Sequence, residues 1–245
     1  MSEDNVKKIL LVLLMFFVFI SCAVDKLPFK STGFGGGFGG PQNEAEQKIS
    51  KEIRNNPIIF VHGLTASAPF FKPARNWFIK NGKYNVHEVF AIQFSDILTT
   101  DILKAANELK TFVNKVLKYT GREKAVIVGH SRGAFLTRYY VRKLEGKKKV
   151  SHLVLIAGPM RGYTGVDSNP YFKKIIKEFN TPTETLPGIH YLCIASAVDR
   201  YFQGNHKNSP FLTGAKNITM PGTDHIDVAL SPETFQVILN FLRSN

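Results

Sequence analysis

The residues with the clearest chemical potential lie in Gly129-His130-Ser131-Arg132-Gly133, a serine with glycine two positions away on either side. The β-type run Ala125-Val126-Ile127-Val128 precedes it, and a helical pattern over residues 131–144 follows at once. A chain that passes from strand to helix in so few residues is strained, and it needs small residues where the two elements run closest. Such a turn lifts the serine hydroxyl above the sheet edge, over the start of the helix. The chemistry on offer is nucleophilic attack through a covalent intermediate. The amide of Arg132, the first after the serine, is suited to hold a developing oxyanion, and the Arg132 side chain is not needed for that.

A serine hydroxyl at neutral pH needs a general base. Seven histidines are available. His87, His152 and His190 fall at the starts of predicted strands, on the edge of the sheet away from the serine. His130 adjoins the serine, but a turn of this kind points it away. His62 closes the first strand in His62-Gly63, and His206 sits in a polar loop. His225, in Pro221-Gly222-Thr223-Asp224-His225-Ile226-Asp227, lies between the last strand and the last helix, where a loop can fold back over the serine. The base needs a carboxylate to fix its tautomer and to stabilise the imidazolium. Asp199 follows the fifth strand; Asp96, Asp224 and Asp227 are its rivals. A second oxyanion donor is expected in Phe60-Val61-His62-Gly63-Leu64-Thr65, where Gly63 allows close backbone approach and Leu64 offers its N–H. One such donor contributes ~3 kcal/mol in the transition state.

These groups need a scaffold, and short apolar runs alternating with longer helical ones supply its pattern. Strands are expected at 58–61, 86–94, 125–128, 152–157, 189–195 and 215–220. Between them Ile102, Leu103, Ala106, Leu109, Val113, Val116 and Leu117 recur at the helical period over 98–119, and Gly121 ends that helix. The last helix starts near Pro232, with Ser231 as its N-cap. Unbroken apolar strands alternating with helices mean a parallel sheet covered on both faces. Ligands then bind beyond the carboxyl ends of the strands. Ser131, Asp199, His225 and Leu64 all fall in loops at such ends.

With these residues in view the chain resembles the bacterial triacylglycerol lipase family of the α/β-hydrolase superfamily. The resemblance rests on Pro57-Ile58-Ile59-Phe60-Val61-His62-Gly63-Leu64 and on the stretch from Tyr119-Thr120-Gly121 through Gly129-His130-Ser131-Arg132-Gly133 to Arg138-Tyr139-Tyr140. It continues through Ala157-Gly158-Pro159 to Pro221-Gly222-Thr223-Asp224-His225 and spans roughly residues 55–243. It implies an α/β-hydrolase fold, a mostly parallel sheet of about six strands with helices on both faces. It also implies hydrolysis of carboxylic esters, chiefly lipid esters, through an acyl-enzyme, with no cofactor and no metal. The order serine, acid, histidine expected of that fold favours Asp199 over its rivals, giving a triad of Ser131, Asp199 and His225. Two residues depart from the family pattern. Arg132 stands where such lipases usually carry Met or another apolar residue, and Ala134 where a second glycine is common. Arg132 bears on acyl-chain preference. Similar proteins of the same fold cleave thioesters, phospholipids and soluble esters. A reading of another class is an envelope lipoprotein that keeps the fold for binding alone.

The first 21 residues read as an export signal. Lys7 and Lys8 precede an apolar run from Ile9 to Ile20, 12 residues long. That is short for a ~30 Å hydrocarbon core and suits a signal peptide. Phe19-Ile20-Ser21-Cys22 resembles a bacterial lipoprotein cleavage box, with Phe where Leu is commonest, so Cys22 is expected to become a lipidated mature N-terminus. An ordinary secretory signal or an uncleaved anchor is the alternative. Residues 22–44 carry Gly33-Phe34-Gly35-Gly36-Gly37-Phe38-Gly39-Gly40 and read as a tether, because ordering so many glycines costs entropy. The catalytic domain is expected over 45–245. The net charge of +13 survives removal of residues 1–21 and favours anionic surfaces such as phospholipid headgroups. No nucleic-acid motif accompanies it, no protein partner can be inferred, and the expected location is a membrane of the bacterial cell envelope. Lys147, Lys148 and Lys149 are read as a solvated helix end. Cys22 and Cys193 are not expected to pair. Residues 158–187 form a long connection that is a candidate lid, in which Asn169 and Pro170 start a helix with Tyr171, Phe172, Ile175, Ile176 and Phe179 on one face. Ordinary core packing accounts for that face equally well.

Overall fold

Among the described residues six strands pair into one wholly parallel sheet in the order β2-β1-β3-β4-β5-β6. They are β1 (Ile58–Val61), β2 (Val89–Ala91), β3 (Ala125–His130), β4 (Val150–Ile156), β5 (His190–Ser196) and β6 (Lys216–Met220). The structure is a computed structural model describing residues 53–96, 98, 101–163, 170–204 and 207–244. The expected leader, Cys22, the glycine-rich tether and the start of the domain at 45 lie outside those residues, as do Asn169 and His206.

Among the described residues five α-helices connect and cover the strands: α1 (Lys72–Lys80), α2 (Ile102–Thr120), α3 (Arg132–Lys143), α4 (Pro170–Asn180) and α5 (Pro232–Arg243). Alternate residues of a strand face opposite sides of the sheet. Ile58, Phe60, Val126, Val128, Val154, Ile156, Leu192 and Ile194 share one buried cluster with Ala74 and Phe78 of α1 and Phe235, Ile238 and Leu239 of α5. Their neighbours Ile59, Ile127, Leu153, Leu155 and Cys193 are just as buried. On that other side α2 brings Ala105, Leu109, Val113 and Val116, and α3 brings Phe135, Leu136 and Tyr140. Sheet and helices on two sides give the α/β-hydrolase architecture.

Local chemistry explains where the elements differ from the expected ones. The second strand is shorter than 86–94. Asn85 accepts from the His87 amide while the Glu88 carboxylate reaches back to the Asn85 amide, and this capping box turns Val86–Glu88 into a 3₁₀ turn. Helix α2 starts at Ile102 because the Asp101 side chain caps it by accepting from the Lys104 amide at 2.9 Å. It ends as expected at Gly121, whose φ of 65° is left-handed. Helix α5 has the expected cap, the Ser231 hydroxyl accepting from the Thr234 amide at 3.1 Å. Lys147, Lys148 and Lys149 do not end α3. They sit on a separate 3₁₀ turn, Gly146–Lys149, entered through Glu145 at a φ of 65°. Cys193 is a buried free thiol, its pKa pushed up to about 12 by burial. Among the described residues no helix is long and apolar enough to cross a membrane.

Candidate active site

Ser131 sits between β3 and α3 with φ 55° and ψ −123°, a conformation rare for a residue with a side chain. The two flanking glycines show what holds it there. A methyl group on Gly133 would collide with the Val61 carbonyl oxygen, and one on Gly129 would lie 2.7 Å from the Ala134 backbone. The Ser131 amide donates to the Ile156 carbonyl at 2.9 Å, so the next strand pins the turn. Ala134, one of the two departures from the lipase pattern, is accommodated across the gap by Gly158. A Cβ on Gly158 would meet the Ala134 Cβ at 2.7 Å.

Because all six strands run the same way, the loops following β1, β3, β5 and β6 gather at one edge. The Ser131 hydroxyl donates to His225 Nε2 at 3.0 Å, and His225 Nδ1–H donates to Asp199 Oδ2 at 2.6 Å. Asp199 is 3% exposed and His225 8%, so this relay is largely shielded from water at its acid end. The other Asp199 oxygen accepts the Tyr201 amide at 2.9 Å. The Tyr201 ring lies edge-on to the His225 imidazole at 4.7 Å. Asp224 instead caps the turn after it, accepting from the Ile226 and Asp227 amides, and those bonds hold its pKa below the usual value. Asp227 is exposed, and Asp96 accepts from the Leu98 amide.

Gly63 brings the loop after β1 against the serine, a Cβ there falling 3.1 Å from the Ser131 Cβ. His62 is fully buried, and its Nδ1–H donates to the Gly63 carbonyl at 2.9 Å. In a planar trans peptide that fixes the Leu64 N–H to point the opposite way. Burial lowers the His62 pKa, with the Arg132 charge adding to the effect and the Gly63 bond opposing it. The Arg132 amide is the first of α3 and so has no acceptor within the helix. The Arg132 side chain runs back over the Phe94 ring, 6.0 Å from its centroid, and two of its guanidinium nitrogens are buried without an acceptor.

Three residues of this neighbourhood have partners that the sequence does not signal. Ser196, at the end of β5, donates to the Thr223 carbonyl at 2.5 Å and accepts from the Val198 amide at 3.2 Å, joining the acid loop to the histidine loop. Tyr201 shields the imidazole. His130, expected to turn away from the serine, reaches His225, whose backbone carbonyl accepts its Nε2–H at 2.8 Å. His87, His152 and His190 have other partners: His87 bonds to the Tyr119 hydroxyl, and His152 stacks on His190. Among the described residues no cluster of side chains suited to a metal occurs.

With the fold and geometry described, comparison with known proteins adds a family likeness. The sequence model of the family "Lipase (class 2)" matches residues 55–171. Over 198 residues the chain is 25% identical to triacylglycerol lipases of Pseudarthrobacter phenanthrenivorans and Burkholderia plantarii, covering 69% of its own length in each case. It spans 61% and 55% of the length of those two relatives. A lipase of Bacillus licheniformis in its mature form superposes with a TM-score of 0.59 at 18% identity, over 78% of this chain and 95% of that one, a likeness of fold. These likenesses support the lipase family.

Proposed function

We propose that the protein is a serine hydrolase that cleaves carboxylic esters, lipid esters in particular. The observation that carries this reading is the relay Ser131–His225–Asp199, with bonds of 3.0 and 2.6 Å, at a strained turn. Ser131 Oγ attacks the ester carbonyl while His225 Nε2 takes its proton. Asp199 holds Nδ1–H, and so the tautomer, and offsets the imidazolium charge. The amides of Leu64 and Arg132 receive the oxyanion. His225 then returns the proton to the leaving alcohol, which leaves an acyl group on Ser131. Water activated by His225 releases the acid. The family likeness and the triacylglycerol lipases among the relatives support an ester as substrate.

Apolar side chains around the site favour a lipid. Leu64, Val198, Tyr201 and Ile226, from the loops after β1, β5 and β6, are all exposed. In the same proposal the mature chain begins at a lipidated Cys22 and is exported to a membrane of the cell envelope, with 22–44 as tether. Within 158–187, the exposed turn of α4 around Tyr171 meets the lipid. The test is a panel of p-nitrophenyl esters of graded chain length, assayed with the wild-type protein and with Ser131→Ala. The proposal expects hydrolysis that Ser131→Ala abolishes with an unchanged melting temperature. Hydrolysis near the wild-type rate in Ser131→Ala, or none in either, overturns it.

A further inference from the structure

We infer that His130 is a positioning residue for the reaction: its imidazole clasps the backbone of His225 and thereby sets the geometry of the general base. The inference rests on the proposed roles of Ser131, His225 and Asp199. His130 and His225 belong to different elements 95 residues apart, one the last residue of β3 and the other in the loop after β6. Nε2–H of the first donates to the main-chain carbonyl of the second at 2.8 Å, and the two rings lie 4.9 Å apart. A carbonyl accepts only, so this bond fixes His130 as the Nε2–H tautomer. Its Nδ1 is buried and bonded to nothing, so no rival partner draws the ring elsewhere.

The ring itself is held. It is 3% exposed and stacks on Phe70 with centroids 5.4 Å apart and planes 16° from parallel. Its neighbour in sequence is the nucleophile, whose backbone is fixed by β4 through the Ser131–Ile156 bond. Through this clasp the rigid β3 turn that aims Ser131 also aims the backbone from which His225 hangs. Burial, with the nearby His225 imidazole adding to it, pushes the His130 pKa down to about 3, so the clasp stays neutral beside a base that becomes a cation in each turnover. A second positive charge at that separation would oppose the imidazolium. With only 3% of its surface exposed, His130 is expected to contribute to the proton transfer and not to substrate binding.

Removing the donor leaves the His225 carbonyl buried without its partner and frees the loop to shift. A displacement of ~1 Å from a productive geometry can cost about 100-fold in rate. The test compares His130→Leu, which keeps bulk and loses the N–H, with His130→Gln, which keeps an N–H donor at similar reach. Each is assayed in the full-length chain with one soluble p-nitrophenyl ester, alongside Ser131→Ala. The expected result is a kcat roughly 10- to 100-fold lower in His130→Leu with KM within about twofold, and substantial recovery of kcat in His130→Gln. Equal losses in both variants with lowered melting temperatures make His130 a packing residue and overturn the inference. So does a wild-type kcat in His130→Leu. Activity surviving in Ser131→Ala would instead remove the triad itself.

Discussion

At the scale of single residues the acid is the choice most open to dispute, because four aspartates lie near the catalytic edge. Asp199 alone among them accepts a hydrogen bond from the His225 ring, while Asp227 is exposed and only two residues beyond that histidine. The isosteric Asp199→Asn keeps shape but presents the wrong hydrogen-bonding pattern to Nδ1–H. In a well-studied triad such a change lowers kcat about 10⁴-fold, and a loss of ~100-fold or more is expected here. Asp227→Asn should stay within about tenfold of wild type, ~1.4 kcal/mol in the barrier. Steady-state kinetics of the two variants decides, and the reverse ranking moves the acid to Asp227. Ser131, His225 and Asp199, which the structure brings together, stood out in the sequence because each follows a strand end and the three keep a serine, acid, histidine order. His130 and Ser196 did not. Their partners are main-chain carbonyls at 95 and 27 residues' separation, and a carbonyl leaves no mark on the residue type that bears it.

At the scale of elements, the sheet was readable from unbroken apolar runs, but side-chain capping set the real boundaries. Helix α4 shows what periodicity leaves open. Its apolar face is divided: Ile175 and Phe179 are buried, Phe172 packs on the Phe135 ring at 4.8 Å, and Tyr171 is exposed. Buried Arg138 explains the division. Its guanidinium donates to the Phe179 carbonyl at 2.9 Å, to Asn180 Oδ1 at 3.0 Å and to the Glu184 carbonyl at 2.8 Å. A cation at a helix C-terminus is favoured by the helix dipole, and burial lowers this one's pKa only to about 10. Ile175 and Phe179 are therefore core, and the lid reading rests on exposed Tyr171 and the half-buried Phe172 and Ile176. Replacing both Phe172 and Ile176 with Ser should lower hydrolysis of emulsified long-chain esters several-fold more than hydrolysis of short soluble ones. Equal losses on both, with a lower melting temperature, would assign the whole helix to the core.

At the scale of the whole molecule, two expectations concern where and under what conditions the protein works. If Cys22 carries two or more acyl chains, burial at ~0.8 kcal/mol per CH₂ anchors the chain stably. Cys22→Ala should then leave an unprocessed precursor that takes up no labelled palmitate, and unchanged processing and labelling would contradict the anchor. The second expectation is acid sensitivity. His62, His130 and His152 are all buried with lowered pKa values, burial being the main cause in each; His152 falls to about 4, with His190 adding to the effect. A base whose folded pKa is depressed binds its proton more readily when unfolded. Its burden is absent above the unfolded value of about 6.5 and grows as pH falls toward the folded one. Melting temperature should therefore drop on going from pH 7 to pH 4. In His152→Phe, which leaves no titrating group between His190 and Phe241, the drop should be smaller by about 2–4 °C. Parallel curves for the two proteins would show that His152 contributes nothing to it.

The central claim is that Ser131 is the nucleophile of a working relay, and covalent capture tests it most directly. The full-length protein is treated with a fluorophosphonate probe, and the modified peptide is located by mass spectrometry. One adduct per chain is expected, on the peptide containing Ser131, with none in Ser131→Ala and greatly slowed formation in His225→Ala. An adduct that persists in Ser131→Ala, or a wild-type protein that does not react, would contradict it.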